Sequence, residues 1–569
     1  MKEKTGKSNT YRWIVGVLTI GVILVNIKNI FTNFNIDAEY AIAMSYRMVK
    51  GDGMFEQMWE PHQTSGFLVA LFIKIYLMLF QTTTGLAVYL NTVGLILKFV
   101  VTVILYVTLK RSVNPHVLYL LSLFFMAVNP KNMLLPEFSN MQLWFSALLF
   151  CALFVYLQDQ KKKIWLYCAV IALCFEVLSY PASVLVFGGV LVILCIYAQK
   201  KWQDILIVVG SCFTIGIAYV GLFVARMGIA RFAEAVKYIV LGDKTHSIGV
   251  LQKWGAYIVE IGKVGILVGI CAIVAAVLAW VLSLFKNIDK RNYFLVLWAV
   301  CLCVYHFGST LMVGDRYMYL TLYVVILLVA IWACRFCDSR EKQIYILGIT
   351  ISGCNLIAIL VLTNLTFLTS VAYLILGVAL AFIPISKACE KLGIVKNILW
   401  RYAILILFCG VTIFRSGYLV RAMQEENTSV LDVLQAGGIV KAGPAKGIVS
   451  DYMGPYVMNS SMAEWEMYVN DADKLLIVGH EKISTIGYLY KDTEICVDST
   501  ICTPTYDEKL LKYWEQNPQK YPNVVVVSCW FGELKVARDS WIMQWIENEF
   551  QADIVVDGQY YRYYIKTES

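Results

Sequence analysis

Charged residues make up only 15% of this 569-residue chain, where a soluble domain carries roughly a quarter. With 59% hydrophobic residues and a mean hydropathy of +0.66, that scarcity excludes an ordinary water-soluble globular protein. Histidine is rarer still, at five in the whole chain, and no His/Cys cluster stands at metal-ligand spacing. A Walker-type phosphate loop and a Ser-His-Asp constellation are also missing. Gly443-Pro444-Ala445-Lys446-Gly447 has no strand-Gly-x-Gly-x-x-Gly-helix context, so an ATP-driven pump and a dinucleotide enzyme are both disfavoured. No internal repeat is visible. The cysteines number sixteen, but thirteen of them, Cys151 to Cys409, lie in or beside apolar runs, where Cys behaves as a small hydrophobe. Cys496, Cys502 and Cys529 remain, and no disulfide is expected among them.

The apolar residues fall in long runs, too many for one signal peptide. Spans are expected near 11–31, 85–109, 115–128, 140–157, 164–179, 181–198, 204–225, 255–285, 293–310, 316–334, 342–362, 364–384 and 398–419, about thirteen in all. Two of these, 115–128 and 164–179, are short for a hydrocarbon core of about 30 Å. The patches Lys2–Arg12, Lys110–Arg111, Lys161–Lys163, Lys200–Lys201, Lys286–Arg291, Arg335–Lys342 and Lys387–Lys396 then share one side, and the short loops opposite hold only Lys131 and Arg316. The positive-inside rule makes the N-terminus cytoplasmic and the tail extracytoplasmic. Counting 66–80 as a span scrambles that pattern, so this segment is expected to be an interfacial or half-buried helix, with Lys74 free to snorkel. The net charge of +8 sits in short patches that set orientation, and nucleic acid is not an expected partner.

The expected fold is a polytopic α-helical membrane module over 1–420, with outer loops 32–84 and 226–254, followed by an extracytoplasmic α/β domain over 421–569. In the tail, strand-like runs at 474–479, 494–498 and 523–528 alternate with helical patterns at 481–490, 506–516 and 540–550, which predicts a largely parallel sheet.

The first outer loop holds Asn35-Ile36-Asp37-Ala38-Glu39-Tyr40 directly after a span, at the height where a lipid-borne substrate would be met. Asp37 can cap a helix over 38–50 that Gly51 ends, and a capping carboxylate can still project an oxygen into a cleft. Glu137, in the next outer loop, reaches the same face or pairs with Lys131. Two converging carboxylates suit base-assisted glycosyl chemistry, one deprotonating the acceptor while the other orients it. Arg316, in Gly314-Asp315-Arg316-Tyr317, is suited to grip a lipid phosphate, or pairs with Asp315. His306 reads as a packed histidine. Lys98 and Glu176 are ionisable groups inside spans and functional candidates by location, though Lys98 can simply bond across helices.

These features together resemble the GT-C superfamily of integral-membrane glycosyltransferases, particularly the branch of protein O-mannosyltransferases and the aminoarabinose transferase of lipid A. The resemblance rests on Asp37-Ala38-Glu39-Tyr40 and on Glu60-Pro61-His62-Gln63, which is similar to that branch's Glu-Lys-Pro-Pro stretch. Glu137, the extended loop 226–254 and the pair Arg316-Tyr317 add to it. It implies a polyprenyl-phosphate-linked sugar as donor, an extracytoplasmic glycan, lipid or protein as acceptor, and inversion by direct displacement. Asp37 would be the base, with Glu39 and Glu137 as the other site acids. Arg316, Tyr317, His62 and Lys131 would meet the donor phosphate, His62 standing where the branch usually has lysine. No cofactor is implied; a divalent metal is possible but not favoured. The rival reading is a multi-pass transporter or flippase of lipid-linked envelope precursors, though such proteins usually show related halves.

Overall fold

The structure, a computed structural model, describes residues 2–241, 249–285, 290–313, 320–363, 365–391, 402–423, 427–479, 485–500 and 508–567. Its helices are α1 (Lys2–Phe31), α2 (Ile36–Lys50), α3 (Gly66–Phe80), α4 (Leu86–Leu109), α5 (Pro115–Ala127), α6 (Phe138–Gln158), α7 (Ile164–Ser179) and α8 (Val184–Tyr197). They continue with α9 (Lys201–Met227), α10 (Ile229–Leu241), α11 (Val250–Phe285), α12 (Lys290–Leu311), α13 (Leu320–Ala333) and α14 (Ser339–Leu362). A broken segment follows, α15 (Phe367–Ser370), α16 (Ile375–Leu380) and α17 (Phe382–Lys391), and then α18 (Ala403–Tyr418).

An apolar helix or broken helix lies at each expected span, but the count of thirteen is not reached by length and composition. Seven helices among the described residues are long and apolar enough to cross a bilayer, or eight if the pair Val371–Leu380 and Phe382–Lys391, bent by 45°, is one span. The others are shorter apolar helices such as α5, whose Leu118, Leu120, Leu121, Phe124 and Phe125 are fully buried. A helix enclosed by protein does not have to match the bilayer thickness by itself. Proline explains some of the boundaries: Pro115 starts α5 behind an Asn114 cap and Pro181 opens a 3₁₀ turn after α7, positions where a missing N–H costs nothing.

One of the seven long helices is Gln63–Phe80, which contains α3. Its two ends touch the same tail domain. Before it, Glu60 accepts from Ser499 Oγ at 2.6 Å and Thr500 N at 2.7 Å; after it, Thr83 Oγ1 donates to the Leu489 carbonyl at 3.0 Å. The segment left out of the expected spans therefore qualifies as one by length and composition, while its flanks on both sides bond to the tail.

The tail is built on strands β1 (Leu419–Val420), β2 (Thr428–Ser429), β3 (Gly438–Ile439), β4 (Val449–Ser450), β5 (Lys474–Val478), β6 (Glu494–Ile495), β7 (Val524–Trp530), β8 (Glu533–Leu534), β9 (Ile554–Asp557) and β10 (Tyr561–Ile565). The main sheet runs β6-β5-β7-β10-β9, with β8 attached to β7. β6, β5 and β7 are parallel, as the alternating pattern predicts, but β10 pairs antiparallel with both β7 and β9. The sheet is therefore mixed. Its last two strands were not expected because β9 is largely exposed and carries no buried apolar run.

The tail docks on the segment after α1 through a buried ion-pair network. Arg47, fully buried on α2, binds Asp52 at 2.9 Å and Glu60 at 3.1 Å, and Lys520 of the tail reaches Asp52 at 2.6 Å. Trp59 N donates to the Asp498 carbonyl, and the Gly85 and Ala87 amides donate to the Gly443 and Pro444 carbonyls. The loop after α9 contains α10. Its Arg231 donates to Gln516 and Asn517 of the tail, while Tyr238 stacks on Trp59 at 5.6 Å. Cys496 and Cys529 are free thiols; Cys502 lies outside the described residues.

Candidate active site

The chain between α5 and α6 is pinned from two sides, and this fixes Lys131. On the α4 side, Gly94 lets the backbone approach so closely that a Cβ there would stand 1.8 Å from the Leu134 carbonyl oxygen. One turn further along, Lys98 Nζ donates to the Met126 and Val128 carbonyls and to Asn129 Oδ1 at 2.6–2.9 Å, closing the C-terminus of α5. On the α6 side, Asn140 Nδ2 donates to the carbonyls of Met133 and Leu135. Between these clamps Lys131 and Asn132 hold left-handed backbone, φ 55° and 60°, a conformation non-glycine residues keep only when their surroundings enforce it. Lys98 is thus a structural clamp.

Asp37 sits in the first turn of α2, whose N-cap is Asn35, so Asp37 is not the cap. Its Oδ2 instead pairs with Lys131 Nζ at 3.3 Å and with Arg421 Nη2 at 3.2 Å. Arg421 follows β1, which the pairing of Leu419–Val420 with Thr428–Ser429 holds in place. Asn33 Oδ1 accepts from its backbone N–H at 2.7 Å, and the Asn35 side-chain oxygen accepts from its guanidinium at 2.7 and 2.8 Å. Burial pushes the Asp37 carboxyl upward, but Lys131 and Arg421 outweigh it and hold the group well below the usual carboxylate range. It is therefore ionised across physiological pH.

These residues border a cavity of about 220 Å³, lined on its polar side by Asp37, Lys131, Asn132, Ser139, Arg415 and Arg421, and on its apolar side by Leu322, Leu365, Val411 and Leu419. His306 of α12, Tyr323 of α13 and Tyr373 of the broken segment also line it. One carboxylate among several cations, with greasy walls behind, can take an amphiphilic anion and present its polar end to a base.

Of the sequence candidates, Asp37 and Lys131 meet here. Glu137 lies nearby but does not line the cavity: it caps α6, its two oxygens accepting from the Ser139 and Asn140 amides at 3.0 and 2.8 Å. Burial raises its carboxyl, opposed by Lys131 and by the two amides. Each of its oxygens thus accepts one bond from the helix end, and Glu137 is not among the residues that line the cavity. Glu39 faces away. It is fully buried against the tail, where Ile486 N donates to it at 3.4 Å, and burial raises its carboxyl to about 8. His62 also stands outside the lining. It stacks on Phe138 at 4.2 Å, and Phe138 in turn carries Lys131 Nζ 4.0 Å from its ring centre; His62 also packs against Tyr180, which meets the cavity-lining Tyr373. Arg316 and Tyr317 lie outside the described residues.

Arg415 and Arg421 were not singled out from the sequence. Arg415 had a usable signal, an arginine inside an expected span, which marks function by default; Arg421 had none beyond following that span. Glu176 belongs to a separate buried polar cluster, accepting from Ser146 Oγ at 2.6 Å and Asn355 Nδ2 at 2.8 Å. Among the described residues, no group of three or more His, Cys, Asp or Glu side chains could hold a metal ion.

Two pH effects follow. Lys131→Met removes one of the two cations that keep Asp37 ionised while leaving its burial, so the acid limb of a pH–activity profile should move upward by about one to three pH units; an unmoved limb would show that Asp37 is not the titrating base. Glu39 behaves in the opposite sense. Its folded pKa of about 8 exceeds the ordinary 4.5, so the folded state retains a proton that the unfolded chain releases, and stability declines as pH rises from about 4.5 to about 8. Glu39→Gln should flatten that decline in thermal-unfolding midpoints, and an unchanged slope would contradict the assignment.

No protein-family model and no curated protein matches the chain. Among solved structures it is similar to the archaeal oligosaccharyltransferase AglB from Archaeoglobus fulgidus, determined in complex with an inhibitory peptide and a dolichol-phosphate. The identity is 11%, the match covers 91% of this chain and 70% of that one, and the TM-score is 0.42. A likeness this distant says nothing about chemistry, which has to be read from the cavity.

Proposed function

We propose that the chain is a GT-C-type glycosyltransferase that moves a sugar from a polyprenyl-phosphate donor to an extracytoplasmic acceptor. The observation that carries this reading is Asp37, held ionised between Lys131 and Arg421 at an apolar-walled cavity at the end of the membrane helices. In this scheme the N-terminus is cytoplasmic and the tail stands outside. The donor's polyprenyl chain stays in the bilayer, and its phosphate is drawn among Lys131, Arg415 and Arg421, with Arg316 and Tyr317 as further ligands.

The acceptor's hydroxyl or amine nitrogen attacks the anomeric carbon from the face opposite the phosphate, and its proton passes to Asp37. The bond from the anomeric carbon to the phosphate oxygen breaks with its electron pair going to phosphate, which gives inversion and a lipid phosphate dianion. The low pKa of Asp37 makes it a weak base towards a resting hydroxyl. The proton becomes acidic only as the new bond forms, so transfer belongs to the transition state. Lys131 and Arg421 favour the same moment, since negative charge grows on the leaving oxygen beside fixed cations. Tail contacts with α2 and α10 put the outer domain where it can present an acceptor.

The test is turnover by the purified full-length chain in lipid nanodiscs, supplied with a panel of radiolabelled polyprenyl-phosphate sugars and a cell-envelope extract. Donor-specific release of polyprenyl phosphate supports the reading. A folded protein that cleaves no donor but carries one across the bilayer would replace it with the transporter reading.

A further inference from the structure

Deep in the same cavity is a residue that the scheme above leaves unused. His306 is fully buried on α12 and lines the cavity, and among the described residues neither of its ring nitrogens has a hydrogen-bond partner. Leaving both nitrogens of a buried imidazole without a partner costs free energy, and native structures rarely tolerate it without a ligand or a role. The backbone around it is fixed. The His306 carbonyl accepts from Ser309 Oγ at 3.1 Å and from Thr310 Oγ1 at 2.7 Å. Thr310 Oγ1 in turn accepts from Arg415 Nη1 at 3.2 Å. One short chain of bonds therefore sets the Arg415 guanidinium relative to the turn that carries His306, and both residues line the same cavity.

We propose that His306 is a catalytic residue that donates a hydrogen bond to the phosphate oxygen from which the sugar departs. This rests on the transferase reading above. An imidazole carries at least one N–H in either tautomer, so one donor is always available. In the donor the phosphate is a diester with one negative charge. As the bond from the anomeric carbon to oxygen breaks, its electron pair stays on that oxygen and the phosphate gains a second charge. The acceptor's proton goes to Asp37, and His306 gives up no proton; its N–H···O bond strengthens as charge accumulates. The residue thus favours the departing dianion over the bound diester, which raises kcat more than it lowers KM.

The test uses the full chain in nanodiscs with whichever polyprenyl-phosphate sugar the wild type cleaves, comparing His306→Gln, which keeps an N–H donor, with His306→Leu, which does not. For His306→Leu, a fall in kcat of about 10²- to 10³-fold is expected, the usual effect of deleting one such donor. Donor KM should stay within a few-fold, and inhibition by added polyprenyl phosphate should weaken at least tenfold. His306→Gln should recover most of kcat. Inorganic phosphate at the same concentration should not inhibit; if it competes equally well, the seat recognises free phosphate and not the lipid-linked group. Wild-type kcat in His306→Leu, or Gln and Leu variants equally impaired in kcat and KM alike, would overturn the proposal. If the wild type cleaves no donor, the transferase reading fails. The His306 contact is then judged separately by direct binding of polyprenyl phosphate, which it requires to be weaker in His306→Leu than in the wild type.

Discussion

Asp37→Asn is expected to lower turnover by about 10²- to 10⁴-fold, the range attributable to a positioned general base, while leaving the protein folded and inserted. The substitution is nearly isosteric, and Asp37 is only partly enclosed, with a quarter of its side chain accessible. An asparagine oxygen can still accept from Lys131 and Arg421, so the local geometry should survive the loss of charge. Donor affinity should hold or tighten, because a negative charge beside the incoming phosphate is removed. The signature is then a collapse of kcat with an unchanged or lower KM. A variant that keeps wild-type kcat would remove Asp37 from the chemistry.

The largest effect on stability is expected at Arg47. Arg47→Met leaves Glu60, itself fully buried, without its cation at the junction between the first outer loop and the tail. Removing one member of a buried pair typically costs about 3–5 kcal/mol, because the remaining charge stays desolvated. Glu60 retains its bonds from Ser499 and Thr500, and Asp52 retains Lys520, which sets the loss towards the lower end of that range. The tail should loosen from α2, giving a lower unfolding midpoint and faster proteolysis between the membrane module and the sheet. Adding Glu60→Gln to Arg47→Met should recover much of the loss, since the unpaired charge is gone while an amide oxygen still accepts from Ser499 and Thr500. A single variant as stable as the wild type would contradict this picture of the junction.

The parts of the molecule that follow from chemistry local in sequence were legible before the structure. Apolar runs located the helices, Gly51 marked the end of α2, and the alternating pattern found β5, β6 and β7. The antiparallel β9–β10 pair was hidden because β9 buries too little to leave a pattern. Helix α10 was hidden inside a segment read as a loop. In the site, Asp37 was legible as an acid directly after an expected span, though a cap explained it as well, and Lys131 as a rare positive charge on a short loop, though pairing with Glu137 explained it as well. Glu39 was harder to place for a physical reason: each residue of a helix turns about 100°, so Asp37 and Glu39, two residues apart, project about 200° apart, one to the cavity and one to the tail. That Glu137 caps α6 was not legible, because a helix cap and a site acid look alike until the amides they bind are seen. Arg421 was invisible as a ligand because its role depends on the strand pairing of Leu419–Val420 with Thr428–Ser429, a contact the sequence does not announce.

The most direct test is a structure of the full chain in nanodiscs with polyprenyl phosphate bound. The account predicts phosphate density inside the cavity between Asp37 and His306, within hydrogen-bond distance of at least two of Lys131, Arg415 and Arg421, with the polyprenyl chain leaving past Leu322 and Val411 into the bilayer. Phosphate bound elsewhere, with Asp37 still closed on Lys131 and Arg421 and the cavity empty, would contradict it.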